Sequence, residues 1–523
     1  MRDRTDEKLN KFSRFCAAVI FILLLGFMAF LTPMSVFRTT LMSTGAGAGE
    51  IVTFVKDNFF LNAIVLFICV AAVYLICLMC EHVKLKKLVV LLLAWTLLFG
   101  LAFVCSAKLQ PSEDSYIVTF FARQAAKGDY SYYHDYFKCF PFQFGFALYE
   151  ELFFRLFNAV LPARPEGYSS LALQGINVLF TVLTYYSVLR CTLCVSRSET
   201  VTKLTAVLLL FFLPPLLFTT YMYGNVPGFA LACTGTWMFL EFRENRRIVH
   251  GVLCAVCLTL AVCLKLNCLI FFIAIVIIWV IDLIRKPDMK AVVLLALAAA
   301  MVLCVKGLPQ KYYEERCGES FGSGVPQLGW MAMGLNEGQS CSGWYDTEYT
   351  VAAYKGSGFD RDKTAQTARE AINERLEYFT ADPAEAVHFF SRKLLSQWNE
   401  PTYQGLWNNQ VRKKYSEPGM LYKLICQRFE RRLTQLMNYY QQLIFAGFAL
   451  SLILLLKKKS LRTAVFPLII LGGMLYHLLF EAKSQYAMGY IILMIPVAAY
   501  GLARLSAFAA RKSRSTRPSE PVK

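Results

Sequence analysis

FFLNAIVLFICVAAVYLICLMC, residues 59–80, is followed at once by EHVKLKK, residues 81–87. The first stretch holds no charged side chain and has about the ~20 residues a helix needs to cross the hydrocarbon core of a bilayer. The second carries Lys84, Lys86 and Lys87, the kind of basic cluster that holds one end of a span in the cytoplasm. An apolar run ending in a basic cluster recurs along the chain, and that recurrence sets the fold class.

Working outward from 59–80, comparable runs lie at 15–34, 88–107, 171–189, 204–221, 226–240, 252–264, 268–284, 291–305, 443–456, 464–480 and 488–505. The pattern predicts an all-α membrane protein of about twelve transmembrane helices, some of the shorter runs being tilted or re-entrant. Composition agrees, since 56% of the 523 residues are hydrophobic and only 17% charged, more apolar surface than a soluble core can use. The net charge of +18, from 54 Lys and Arg against 36 Asp and Glu, sits in short clusters between the runs. No nucleic-acid-binding motif accompanies it, so nucleic acid is not an expected partner.

The clusters Arg2/Arg4/Lys8/Lys11/Arg14, Lys84/Lys86/Lys87, Arg190/Arg197/Lys203, Arg243/Arg246/Arg247, Arg285/Lys286/Lys290, Lys457/Lys458/Lys459/Arg462 and Arg504/Arg511/Lys512/Arg514/Arg517 occupy every second gap. With about twelve alternating spans they all fall on one side, cytoplasmic by the positive-inside rule, and both termini lie there too. Ala46-Gly47-Ala48 follows the first span as a signal-peptide cleavage site would, but the apolar core is longer than an ordinary signal, which favours a retained anchor.

This topology divides the chain into three N-terminal spans (1–107), a first outer loop (108–170), central spans (171–305), a mostly helical outer subdomain (306–440), three C-terminal spans (441–505) and a basic cytoplasmic tail (506–523). In the first loop, Glu151, Arg155 and Asn158 form a stripe opposite Phe146, Phe153, Leu156, Phe157 and Val160, the pattern of a helix lying in the membrane interface. In the second, a glycine-rich part is followed by a helical stretch at 362–398. Most of the 17 cysteines lie inside apolar runs as small hydrophobes. Cys139, Cys317 and Cys341 fall in outer segments, where a Cys317–Cys341 bridge and three free thiols are both open readings.

Polar chemistry gathers at the predicted outer ends. Glu113 and Asp114 stand where the third span reaches the surface, and a carboxylate beside low-dielectric lipid gains basicity. His134-Asp135 and Phe140-Pro141-Phe142-Gln143-Phe144-Gly145 follow, then Tyr223-Gly224-Asn225-Val226-Pro227-Gly228, Lys265-Leu266-Asn267 and Glu481-Ala482-Lys483-Ser484-Gln485-Tyr486. Each has a plainer account: Lys265 as a snorkelling lysine, Glu481 with Lys483 as a surface ion pair, Tyr136 and Tyr486 as aromatic-belt anchors. Likewise His134 reads as a polar loop residue, and Trp398-Asn399-Glu400-Pro401 as a turn closing a helix.

In their order and their shared position at outer span ends, these elements resemble the membrane glycosyltransferases of the GT-C type, in particular the large bacterial group resembling protein mannosyltransferases. The resemblance runs from about residue 111 to 505. It implies a polyprenyl-phosphate sugar donor, an envelope glycan, lipid or protein acceptor, and an active face on the external side of the cell membrane. Asp114 matches the family's acidic position and is the implied base, with Glu113 beside it. Lys265, Lys483 and Tyr486 are implied at the donor phosphate, and His134, Asp135, Gln143, Tyr223, Asn225, Glu481 and Gln485 as substrate-lining. Many relatives have arginine where this chain has Gln485, which leaves Lys483 as a point charge in place of a bidentate fork. No cofactor is certain, and a divalent metal stays open. The rival classes are a lipid or polysaccharide transporter or flippase, a polysaccharide polymerase or ligase of related architecture, and a non-catalytic scaffold. Transporters place ionisable groups near the bilayer midplane, and these spans hold almost none.

Overall fold

The structure is a computed structural model that describes residues 2–44, 49–161, 166–415 and 417–515. Ala46-Gly47-Ala48 and the end of the basic tail, Arg517 included, lie outside the described residues.

All twelve apolar runs fall on helices. Among the described residues nine helices are long and apolar enough to cross a membrane, as in a multi-pass membrane protein, from Asn10–Phe37 through to Ser484–Arg511. A tenth, Glu199–Phe211 with Pro214–Thr220, bends by 48° where Pro214 and Pro215 interrupt the backbone ladder. The runs at 226–240 and 252–264 fall short of the nine: Ile248–Leu264 has only 17 residues, and Asn225–Asn245, with Asn225, Pro227, Gly228, Thr234, Gly235 and Thr236 interspersed among its apolar residues, is not apolar enough over its length. The helix Glu430–Lys458 runs across the 440/441 boundary.

The chain is not purely helical. Arg38–Met42 and Val52–Lys56 form an antiparallel hairpin between the first two spans, in the register Arg38 to Lys56 and Met42 to Val52. It is tied down through Thr40, whose N–H donates to Asn399 O at 3.3 Å, and through Asn399 Nδ2, which donates to Arg38 O at 2.7 Å.

The helix Leu269–Arg285 begins beside Lys265 and ends at Arg285, which separates two ends of the bundle. Around the Arg285 end stand Arg197, Arg243, Arg246, Lys286 and Arg462, so residues of four of the basic clusters meet at this end. Several are paired there, Arg243 to Asp282 at 2.5 Å and Arg246 to Asp288 at 3.5 Å.

At the Lys265 end sit the hairpin and the helices Glu113–Ala125, Phe144–Val160, Leu308–Cys317, Gln327–Leu335, Arg361–Ala381, Pro383–Trp398 and Gly405–Val411. The helical stretch expected at 362–398 is two helices. Asp382 caps the second, accepting from Ala384 N at 3.1 Å and Glu385 N at 3.2 Å, and Pro383 opens it.

The polar stripe of Phe144–Val160 divides: Arg155 and Asn158 are exposed, while its third member, Glu151, turns inward. Glu151 is fully buried and accepts from the Tyr313 hydroxyl at 2.6 Å, the Tyr312 hydroxyl at 3.1 Å and Arg155 Nε at 2.8 Å. Leu152, Leu156 and Val160 are the exposed ones. Burying a carboxylate with three donor groups in reach stabilises the packing against Leu308–Cys317 and leaves Leu152, Leu156 and Val160 outward.

Candidate functional site

A cavity of about 1140 Å³ opens at the Lys265 end. Four short chain segments from distant parts of the sequence line its charged side: 49–50, 112–114, 265–267 and 481–486.

The acid comes from the turn after the third span. Ser112 N–H donates to Ser115 Oγ at 3.1 Å, and the Ser115 hydroxyl donates to Ser112 O at 2.7 Å, which fixes the first turn of Glu113–Ala125. Glu113 takes φ of 51°, a left-handed conformation costly for a side chain with a Cβ, and such strain persists only where the surroundings impose it. Asp114 next to it is open to the cavity yet encased by protein, and this burial raises its carboxyl above the ordinary range. Lys483 and Lys265 pull it back, the Tyr136 hydroxyl also favours the charge, and Glu113 pushes it up further. The approach of Tyr136 lies outside hydrogen-bond geometry, which leaves its buried hydroxyl without a partner among the described residues.

Lys265 sits where Ile248–Leu264 breaks into an extended residue (φ −151°, ψ 111°). Glycines let neighbours close on this break. A Cβ at Gly145 would collide with the Cys263 carbonyl, and one at Gly224 with the Leu264 carbonyl, so two glycines of the quoted motifs pack against one strip of backbone. The ammonium of Lys265 lies 4.4 Å from the Tyr223 ring centroid and 5.6 Å from that of Tyr486. Burial lowers it to about 8, against the opposing pull of Glu481 and Asp114. The Gln143 side-chain amide donates to the Tyr223 hydroxyl and holds that ring in place.

The segment from Phe480 to Tyr486 is held from several directions. The buried Lys393 ammonium donates to Phe480 O at 2.8 Å and to Gly334 O. Ala482 N–H donates to Gly343 O at 2.8 Å, and the Ser484 hydroxyl to the buried Glu400 Oε2 at 3.0 Å. The Tyr486 hydroxyl donates to Glu481 Oε2 at 3.1 Å. Lys483 is paired at 2.5 Å with Glu50, a residue of the hairpin loop, and Gln404 Nε2 donates to Glu50 Oε1 at 3.0 Å. Burial works against the charge on Lys483, but Glu50 and Glu481 outweigh it and raise the ammonium above its ordinary value. Burial also raises Glu481 despite Lys483 nearby.

Of the residues singled out from the sequence, Glu113, Asp114, Gln143, Tyr223, Lys265, Glu481, Lys483, Gln485 and Tyr486 line this cavity. His134, Asp135 and Asn225 do not. His134 pairs with Glu319 at 2.7 Å and with Tyr130 O at 2.7 Å, Asp135 faces Lys355 at 4.0 Å, and Asn225 opens the helix Asn225–Asn245. Lys483 is not the surface partner of Glu481, since its ion pair is with Glu50. Trp398, Asn399 and Glu400 are buried outside the lining, as a closing turn would be. Glu50, Lys306 and Arg361 were not anticipated as lining. A lone carboxylate in the otherwise uncharged stretch 39–55 is the one signal that pointed to Glu50.

All 17 cysteines are free, Cys317 and Cys341 included. Cys317 directs its thiol to Tyr130 O at 3.6 Å while Cys341 packs near Trp344, which corrects the bridged reading. Among the described residues no three His, Cys, Asp or Glu side chains come together as a metal site.

Two solved structures of the oligosaccharyltransferase of Archaeoglobus fulgidus are similar to this chain. One is AglB in complex with an inhibitory peptide and a dolichol-phosphate, with a TM-score of 0.42, and the other is the apo form, with a TM-score of 0.43. Identity is 12% in both, over 84% of this chain and 53% of theirs, so the chain spans about half their length. No family model matches, and no curated protein matches.

Proposed function

We propose that the chain is a membrane glycosyltransferase of the GT-C type, moving a sugar from a polyprenyl-phosphate donor to an envelope acceptor on the non-cytoplasmic face. The observation that carries this reading is the meeting of Asp114 with Lys265 and Lys483 on one wall of a large cavity at the end of a helical bundle. A base facing two cations is what sugar transfer from a lipid phosphate requires. The gathering of Arg197, Arg243, Arg285 and Arg462 at the opposite end supports a cytoplasmic assignment for that end and an external one for the cavity. The segments 108–170 and 306–440 are then the outer parts.

In this mechanism the acceptor oxygen attacks the anomeric carbon as Asp114 takes its proton. The bond from that carbon to the phosphate oxygen breaks, and the electron pair leaves with the lipid phosphate. Lys265 and Lys483 hold the charge that grows on the leaving phosphate. Burial supports both roles, since a raised carboxyl is the stronger base and a charge is worth more where little water competes.

The test is to incubate the purified protein in lipid vesicles with a radiolabelled polyprenyl-phosphate sugar and an envelope extract. Label in an acceptor supports the transferase. Movement of the lipid across the vesicle without bond formation supports the flippase reading instead.

A further inference from the structure

The charged wall occupies only part of the cavity. Beyond it stand aromatic faces and uncharged side chains that the transfer step does not use, Phe142, Gln327, Trp330 and Gln339, with Tyr345 and Trp407 at the border of the charged wall, where the Trp407 indole N–H donates to Gly49 O at 3.3 Å. Phe140 ties this wall together, its ring 6.0 Å from that of Phe142 and 5.9 Å from that of Trp330. The wall is built closely. Gly324, at φ 74°, lies where a Cβ would meet Pro141 Cδ at 2.5 Å, and Val325 N–H donates to Cys139 O at 3.2 Å, so the loop before Gln327–Leu335 is pressed onto the turn that carries Phe142.

Gln327 and Gln339 are exposed to the cavity, Trp330, Tyr345 and Trp407 half-buried. The side-chain amides of Gln327 and Gln339 and the Tyr345 hydroxyl make no hydrogen bond to another described residue, unlike the amides of Gln143 and Gln404 nearer the charged wall. Each amide offers both donors and an acceptor, and each ring a flat apolar face.

We infer that this wall is the acceptor subsite and that the acceptor is a saccharide, an inference that rests on the transferase reading above. A pyranose ring presents an apolar face of C–H groups and a rim of hydroxyls that both donate and accept. Aromatic faces interleaved with free amides match both. A peptide acceptor added as a strand would need main-chain hydrogen bonds along an open strand edge, and this wall offers none among the described residues. The hairpin Arg38–Met42 with Val52–Lys56 is the one sheet among the described residues, and its strands do not line the cavity. A lipid tail has no use for the amides.

The experiment uses the full chain in membranes that carry native acceptors, supplied with the radiolabelled polyprenyl-phosphate sugar. The expected product resists proteinase K and stays in the water layer of a chloroform–methanol extraction; label extracted into the organic layer on a lipid other than the donor overturns the saccharide acceptor. A product destroyed by proteinase K overturns the saccharide acceptor and leaves the transferase standing. Trp330→Ala and Gln339→Ala are expected to raise the acceptor KM at least 10-fold with the donor KM within 2-fold of wild type. Equal rises in both would overturn the subsite. Should no label be transferred at all, the transferase reading fails, and titration of intrinsic tryptophan fluorescence with the oligosaccharide fraction of the same envelopes decides the subsite on its own. Quenching that saturates, and that Trp330→Ala weakens at least 10-fold, supports it. No change overturns it.

Discussion

Lys483 Nζ stands 2.5 Å from Glu50 Oε1, so the cation proposed for the donor phosphate is already held by a carboxylate from the hairpin between the first two spans. Both side chains remain partly open, at 17% and 20%, and both line the cavity. A phosphate entering there competes with Glu50 for one ammonium.

Glu50→Gln removes that competitor while keeping the hydrogen bond that Gln404 offers at this position. The expected outcome is a donor KM lowered several-fold, with kcat within about 2-fold, in a steady-state assay with varied donor. A higher donor KM would mean that Glu50 shapes the ammonium and does not compete for it.

Lys483→Ala should raise the donor KM by about 10-fold or more, the scale of one lost charged hydrogen bond. It should also lower the melting temperature, because Glu50 is left without its partner in a confined place. The double variant Glu50→Gln with Lys483→Met separates the two effects. Its melting temperature should return toward wild type while the donor KM stays high, and recovery of both would show that Lys483 acts through stability alone.

How far the sequence carried these assignments depended on whether a contact is local. Apolar runs and basic clusters are local features, and the helices with their two ends follow from them. Glycines of the motifs at 140–145 and 223–228 were visible as letters, but that Gly145 and Gly224 both close on the backbone from Cys263 to Leu264 is a tertiary fact. The helix Phe144–Val160 shows the other failure. Periodicity put Glu151, Arg155 and Asn158 on one stripe, yet only Arg155 and Asn158 are exposed, while Glu151 is drawn inward by the hydroxyls of Tyr312 and Tyr313, which lie about 160 residues away in the chain. Glu50 had no local signal of pairing with Lys483, and the inward pull of Glu319 on His134 had none either.

The rate should depend on pH through two groups of opposite sign. Asp114 acts in its ionised form, and its carboxyl is raised by burial, so activity falls on the acid side at a pH above that of an ordinary carboxylate. Lys265 binds phosphate in its protonated form, and burial lowers it to about 8, so the donor KM should climb as pH rises through about 8. A bell-shaped profile of kcat/KM is expected, and in Lys265→Met the alkaline limb should move or vanish. A profile identical to wild type in that variant would take Lys265 out of donor binding.

Asp114 carries the sharpest prediction. Asp114→Asn keeps the size of the side chain and its capacity to accept a hydrogen bond, but it removes proton acceptance. Turnover should therefore fall by roughly 10²-fold or more, with the protein present in the membrane near its wild-type amount. Glu113 is the internal control. Its φ of 51° shows that the backbone turns sharply at this residue, and successive side chains on the helix that follows diverge by about 100°, so Glu113 and Asp114 do not share a direction. Glu113→Gln should keep most of the turnover, and Glu113→Gly, which relieves the left-handed strain, should fold at least as stably as wild type. If Glu113→Gln abolishes transfer while Asp114→Asn retains it, the base is the neighbour. If both variants stay active, the acid turn at the start of Glu113–Ala125 is not where the acceptor loses its proton, and the transferase reading loses the group that its chemistry depends on.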